Sequence, residues 1–328
     1  MILRAVHNSR ISAYAVAFLA FLILWARLFF LNLEDIATLD KPSMPLWNLI
    51  IDPFFGNSKY SSAILSIVLA FLIAFSVNRT IVKIGLLSQQ GMLPFLIYAL
   101  LSSTFLCVQK LNPIWIFTLF FILGIEQIFL SVGKRKPQIN CFNAALLAGI
   151  GALFYAKGIF FFALFFLIMG ILRILNYKAI LASLFGLILP FSFNFIYFYN
   201  SDNITLFFND LQENLFSFPE QYYQTVFSKI YIAIIIIVTL FAIILSFRHI
   251  TNQKILTRRY LRCFLWMMII ICAVALTPIF SLEIIPVTSL ISATLIAFWL
   301  DKIKRKKLKE SLFYLLVVIT IFGQVFLQ

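Results

Sequence analysis

The sequence predicts an all-α protein, a polytopic bundle of transmembrane helices, on three observations. Hydrophobic residues make up 63% of the 328-residue chain and charged residues only 12%, against roughly a quarter charged in soluble domains. Mean hydropathy is +1.03. Apolar runs of about 18 residues or more recur along the whole length, each long enough to cross a bilayer as a helix.

Taken in order, the apolar runs predict about eleven spans: residues 11–32, 60–78, 92–109, 113–132, 142–156, 158–173, 179–199, 230–247, 261–280, 284–300 and 311–327. The opening "MILRAVHNSR" is a short basic lead into the first run, which is too long for a signal-peptide core and reads as a retained span. Between Asn143 and Leu172 the run is continuous except at Lys157-Gly158. Read as one helix, it would send "DKIKRKKLKE" outside and the acidic 200–228 segment inside. Read as two short helices, it forms a hairpin with Lys157 at its outer tip. The positive-inside rule selects the hairpin.

Charge then sets the orientation. With a cytoplasmic N-terminus, the inner segments hold 20 of the 26 Lys and Arg residues, and the outer segments hold nine of the 12 acids. The net charge of +14 is therefore topology rather than a nucleic-acid surface. The expectation is a single integral domain over 1–328 in a bacterial inner membrane, with the bilayer as its first partner. Two segments outside the spans carry enough residues to matter, 33–59 and 200–228. The first contains "MPLWNLIIDPFFG", where Pro45, Trp47, Ile50 and Phe54 suggest a short helix lying in the interface. The second has Leu206, Phe207, Leu211 and Leu215 near helical spacing and reads as another surface helix.

Candidate chemistry is sparse. Arg27 lies seven and eight residues before Glu34 and Asp35, which places the three near one face if the helix continues. As a site, a carboxylate would deprotonate an acceptor hydroxyl while Arg27 holds a lipid phosphate. As plain membrane chemistry, Arg27 snorkels toward a solvated helix end, the reading that the isolated charges favour. Lys157 is a second phosphate candidate, with Lys41, Lys59 or Lys229, or simply a helix-end anchor. Glu126, in "FILGIEQIFL", is the one acid well inside a span, and is either a proton or ion site or a hydrogen-bonded packing residue.

His7 and His249 stand far apart, and the four cysteines form no C-x-x-C pair. No metal site, disulfide framework or cofactor is expected. Phosphate-loop, nucleophile-elbow and zinc-protease motifs do not occur.

The stretches "NAALLAGIGALFYAKGIFFFALFFLIMGILRILNYKAILASLFGLILPF" and "IIPVTSLISATLIAFWLDKIKRKKLKESLFYLLVVITIFGQ" resemble an uncharacterised family of multispanning inner-membrane proteins from bacteroidete bacteria. More distantly, the order of features is similar to the C-type glycosyltransferases, which use polyprenyl-phosphate-linked sugars. There Glu34-Asp35 occupies the place of the acidic motif in the first outer loop, 43–56 that of a surface helix, and 142–173 that of short central spans. The resemblance implies Asp35 or Glu34 as catalytic base, Arg27 or Lys157 as phosphate contact, and a lipid-linked sugar as substrate. The alternative is a non-catalytic membrane component of envelope assembly or transport, whose outer loops bind partners.

Overall fold

The computed structural model describes residues 11–30, 44–56, 58–87, 91–216, 233–241, 243–244, 253–275, 282–303 and 305–326. Among them there is no strand, and helices make almost all of the structure. The helices are α1 (Ile11–Phe30), α2 (Lys59–Lys83), α3 (Leu93–Ser102), α4 (Leu106–Gln109), α5 (Pro113–Leu130), α6 (Pro137–Ala152), α7 (Gly158–Phe161), α8 (Ala163–Leu172), α9 (Tyr177–Asn200), α10 (Ile204–Phe216), α11 (Ile255–Ala275), α12 (Ile285–Lys302) and α13 (Lys306–Phe326). Residues 233–241 are also helical. A π-helical segment, Trp47–Gly56, precedes α2.

Local chemistry explains many of the starts. Proline stands in the first turn of α3, α5, α6 and α12, where its missing N–H costs nothing. Asn176 caps α9 by accepting the Ala179 N–H at 2.7 Å, satisfying one of the free donors of the first turn.

Four helices are long and apolar enough to cross a membrane: Tyr60–Lys83, Pro113–Leu130, Tyr177–Asn200 and Leu282–Lys302. They differ sharply in surroundings. α5 and α12 are central, with 72% and 78% of their apolar windows buried, whereas only 22% of the α9 window is. Phe185, Phe193 and Ile196 of α9 stand exposed, the pattern of a helix against hydrocarbon. α11 and α13 begin with basic residues, Arg258 and Arg259 in one, Lys306 and Lys307 in the other.

Two expectations from the sequence change. The run 92–109 is not one helix. It stops at Ser102, turns through Ser103–Phe105, and resumes for the four residues of α4. Ten residues rise about 15 Å, half the roughly 30 Å hydrocarbon thickness, so α3 does not cross alone. The run 60–78 continues to Lys83, carrying Arg79 and Lys83 on the same helix. The turn expected at Lys157-Gly158 is present, spread over Leu153–Lys157, and 158–173 bends at Phe162 between α7 and α8. The interfacial and surface helices expected within 43–56 and 200–228 appear as Trp47–Gly56 and α10.

The core is aromatic. Phe21, Phe71 and Phe95 tie α1, α2 and α3 together, and Trp25 meets Trp115 edge-on at 5.4 Å. Phe117, Phe121, Phe161 and Phe165 stack between α5 and the α7–α8 arm. α6 lies between α5 and α9, in backbone contact where small residues allow it. A Cβ on Gly186 would fall 2.5 Å from the Phe142 carbonyl oxygen, and one on Gly149 2.8 Å from that of Leu187. Small residues at such crossings let membrane helices gain close packing without a hydrophobic driving force between them.

Gly186→Ala is therefore expected to destabilise the detergent-purified protein by about 1–3 kcal/mol, since the obstructing atom is backbone. Gly170 has open space around it, so Gly170→Ala should be neutral or stabilising by up to about 1 kcal/mol. Paired thermal-unfolding curves check the contrast; equal shifts would mean the α6–α9 approach is looser than described.

Candidate functional site

The broken helix makes a polar centre inside an apolar bundle. At the end of α3 the hydroxyls of Ser102, Ser103 and Thr104 donate back to the carbonyls of Ala99, Leu100 and Leu101, at 3.5, 3.2 and 2.7 Å. These are some of the last carbonyls of a helix, which otherwise lack partners. The Ser103 carbonyl accepts from two side-chain amides, those of Gln109 and Gln324, the latter at 2.9 Å. The Ser66 hydroxyl of α2 donates to the Gln109 carbonyl. Asn112 donates to Cys107 O at 3.3 Å, and the Trp115 indole to Val108 O at 3.0 Å. Eight side chains thus supply hydrogen bonds around the break between Ser103 and Asn112.

Arg27 belongs to this centre. Its guanidinium donates to the backbone carbonyl of Gln324, while the Gln324 amide donates to Leu24 O at 2.9 Å. The first and last described helices are thereby bonded to each other and to the break. Gln109, Ser103 and Ser66 are fully buried, and Arg27 is half-buried. The Gln109 Oε1 atom has no hydrogen-bond partner among the described residues. Sequence reasoning placed Arg27 near this end of α1 and missed the rest. The signal available was "SSTFLCVQKLN", a polar cluster interrupting an otherwise apolar run.

Glu34, Asp35, Lys41 and Lys229 lie outside the described residues. The segment carrying the acidic pair is bracketed by Phe30, the last residue of α1, and by Met44, which is buried. Beyond it Trp47 and Ile51 are buried, with the π-helical segment packed on α2, while Leu49, Ile50 and Phe54 are exposed. That is the two-faced character of a helix resting in a membrane interface.

Lys157 is not an open phosphate clamp. It is 5% exposed, and its ammonium lies 3.4 Å from the Glu283 carboxylate. The pair joins the turn before α7 to the 3-10 turn that opens α12. Nor is Glu126 solitary. One of its oxygens lies 2.9 Å from Lys83 Nζ and 3.3 Å from Arg79 Nη2. The carboxylate is buried while both cations are largely exposed, so they reach inward from the end of α2. Nearby, Asn140 links Lys134 to Gln127, at 3.0 and 3.1 Å. Between the Lys157 and Glu126 pairs stands the phenylalanine stack of α5, α7 and α8, with Phe117, Phe121 and Phe165 fully buried.

On the surface helix α10, partial burial, with Glu213 as a like-charged neighbour, pushes the Asp210 carboxyl above its usual range. The described residues contain no group of three or more His, Cys, Asp or Glu able to hold a metal ion.

Removing one member of a buried ion pair strands the other. Lys157→Met should lower the stability of the purified protein by about 3 kcal/mol, and Lys157→Met/Glu283→Leu should recover most of it. Thermal unfolding of the singles and the double reads this; additive losses would mean the pair is not coupled. Compared with known proteins, the chain matches no family model, no curated protein and no solved structure.

Proposed function

We propose that the chain is a multi-pass protein of the bacterial inner membrane, of about eleven spans with a cytoplasmic N-terminus, working at the outer face as a C-type-glycosyltransferase-like enzyme. The supporting observation is the arrangement around the first outer loop. α1 leads into the acidic segment, and the chain returns through an interfacial helix seated on α2 with Leu49, Ile50 and Phe54 exposed. This is the order of features that the resemblance implies. In sequence the acidic pair follows Arg27 by seven and eight residues.

In this reading Glu34 or Asp35 takes the proton of an acceptor hydroxyl. The acceptor oxygen bonds to the anomeric carbon as the bond from that carbon to the lipid phosphate breaks. Arg27 offsets the charge gathering on the departing phosphate. Lys157 serves this less well, because Glu283 already neutralises it.

A second reading is favoured by a specific observation: the buried charges of α5 and of the turn before α7 are neutralised within the chain. Such internal pairing suits a non-catalytic component of envelope assembly or transport whose outer loops bind partners. It gives little support to proton coupling through Glu126.

Mass spectrometry of lipid-linked sugars and surface glycans separates the two. A deletion strain complemented with wild type should regain a product that a Glu34→Gln/Asp35→Asn variant of equal abundance makes about 100-fold less well or worse. Full rescue by the neutral variant would remove the enzymatic reading and leave the membrane component.

A further inference from the structure

A stripe of exposed side chains runs along α2. Tyr60, Ile64, Val68, Leu72 and Phe75 face outward at three- and four-residue spacing, so they share one side of the helix. The next position on that side is Arg79, and Lys83 follows one turn later, both open to the surroundings. α1 borders the stripe. Its Phe18 meets Phe71 edge-on at 5.6 Å and stays exposed on the outer side, as does Leu22 a turn further along. Arg79 stands about 28 Å along the axis from Tyr60, close to the hydrocarbon thickness of a bilayer. With Tyr60 at one interface, the two cations lie at the other, at the end of a groove that faces hydrocarbon.

Their charge is not fully spent. Both reach the same oxygen of Glu126, at 3.3 and 2.9 Å, so one buried carboxylate faces two cations and one positive charge is left over. The ion pair engages Arg79 at Nη2, and a guanidinium has further N–H donors to offer. α9 is the more exposed helix, but its one cation, Lys178, lies 5.6 Å over the Tyr177 ring and has no second cation on the helix beside it.

We propose that this groove holds a phospholipid of one net negative charge, phosphatidylglycerol in chemistry, with its phosphodiester between Arg79 and Lys83 and an acyl chain along the α2 stripe. Charge complementarity identifies the head. One phosphodiester and Glu126 together balance the two cations, whereas phosphatidylethanolamine brings an ammonium to a site already in positive excess. The donors agree, because arginine takes phosphate by a planar fork and lysine as a point charge, and basic positions at headgroup depth suit anionic lipid heads. Glu126 is the positioning residue: it holds the two cations together and trims their charge from two to one. The inference rests on the membrane-spanning reading of α2. It requires neither a catalytic role for the acidic segment nor a particular side for this end of the helix.

The test reads lipid retention on the full-length protein by native mass spectrometry, from micelles holding equal amounts of phosphatidylglycerol and phosphatidylethanolamine with identical chains. One phosphatidylglycerol should be retained about tenfold over phosphatidylethanolamine, the contribution of one charged hydrogen bond. Arg79→Gln leaves Lys83 to neutralise Glu126, so the pair survives and the lipid preference should disappear. Glu126→Gln removes the competing carboxylate and should raise retention about threefold. A purely structural ion pair would not move retention in opposite directions. A phosphatidylglycerol with a photoreactive diazirine in its chain should mark 64–75 and 18–22. Adducts spread evenly onto the exposed face of α9, equal retention of the two lipids, or indifference to either variant would overturn the proposal. A Glu34→Gln/Asp35→Asn protein should retain the lipid as wild type does, so a failed transferase reading and a failed lipid site give different results. A chain that alkaline carbonate strips from its membranes would overturn the spanning reading and the lipid site together.

Discussion

Inside hydrocarbon, every backbone N–H and C=O must find a partner within the protein, and a continuous helix is the cheapest way to provide them. This chain gives up that solution between Ser103 and Asn112, deep in its interior. Much of the architecture around the break follows from repairing the loss. Hydroxyls of the turn close the end of α3, Gln109 folds back on Ser103, and the rest must come from other helices. Ser66 brings α2, Gln324 brings α13, and through Gln324 comes Arg27 of α1. A half-satisfied network here would cost more than an apolar one, so these helices are held in one register.

That register sets where α1 ends. Because Arg27 is committed to the Gln324 carbonyl, α1 ends at a fixed height beside the break, and the acidic segment starts from there. The other end of that segment is fixed by Met44 and Trp47 in the core. Elsewhere the structure spends its charges on itself. Glu126 is neutralised from the end of α2 and Lys157 by Glu283, with a wall of phenylalanine between. Ion pairs thus stand on either side of a dry aromatic middle. They suit a proton conductor poorly.

The sequence made the helical architecture legible because apolar runs of that length admit few other structures. Prolines 94, 113, 137 and 286 stand in the first turns of helices, although the expected spans began at 92, 113, 142 and 284. The turn near Lys157 was readable only through charge balance, since Leu153–Gly158 looks locally like more helix. The break at 103–105 was missed for a related reason: it carries neither glycine nor proline, and its serines and threonine pass as ordinary small residues in a span. Arg79 and Lys83 entered the sequence reading only as inner-segment charges that set the orientation. Their four-residue spacing on a helix that runs longer than expected is what aims both at Glu126. The Lys157–Glu283 contact spans 126 positions and leaves no local signal at all.

Hydrogen exchange of the full-length protein in lipid nanodiscs tests the polar centre most directly. If side chains from α1, α2 and α13 seal the break, the amides of 103–112 exchange as slowly as those of α12, the most buried of the long apolar helices. Exchange of 103–112 at the rate of an open loop, with α12 protected, would contradict the account, because the break would then be hydrated and the helices around it would owe their positions to something else.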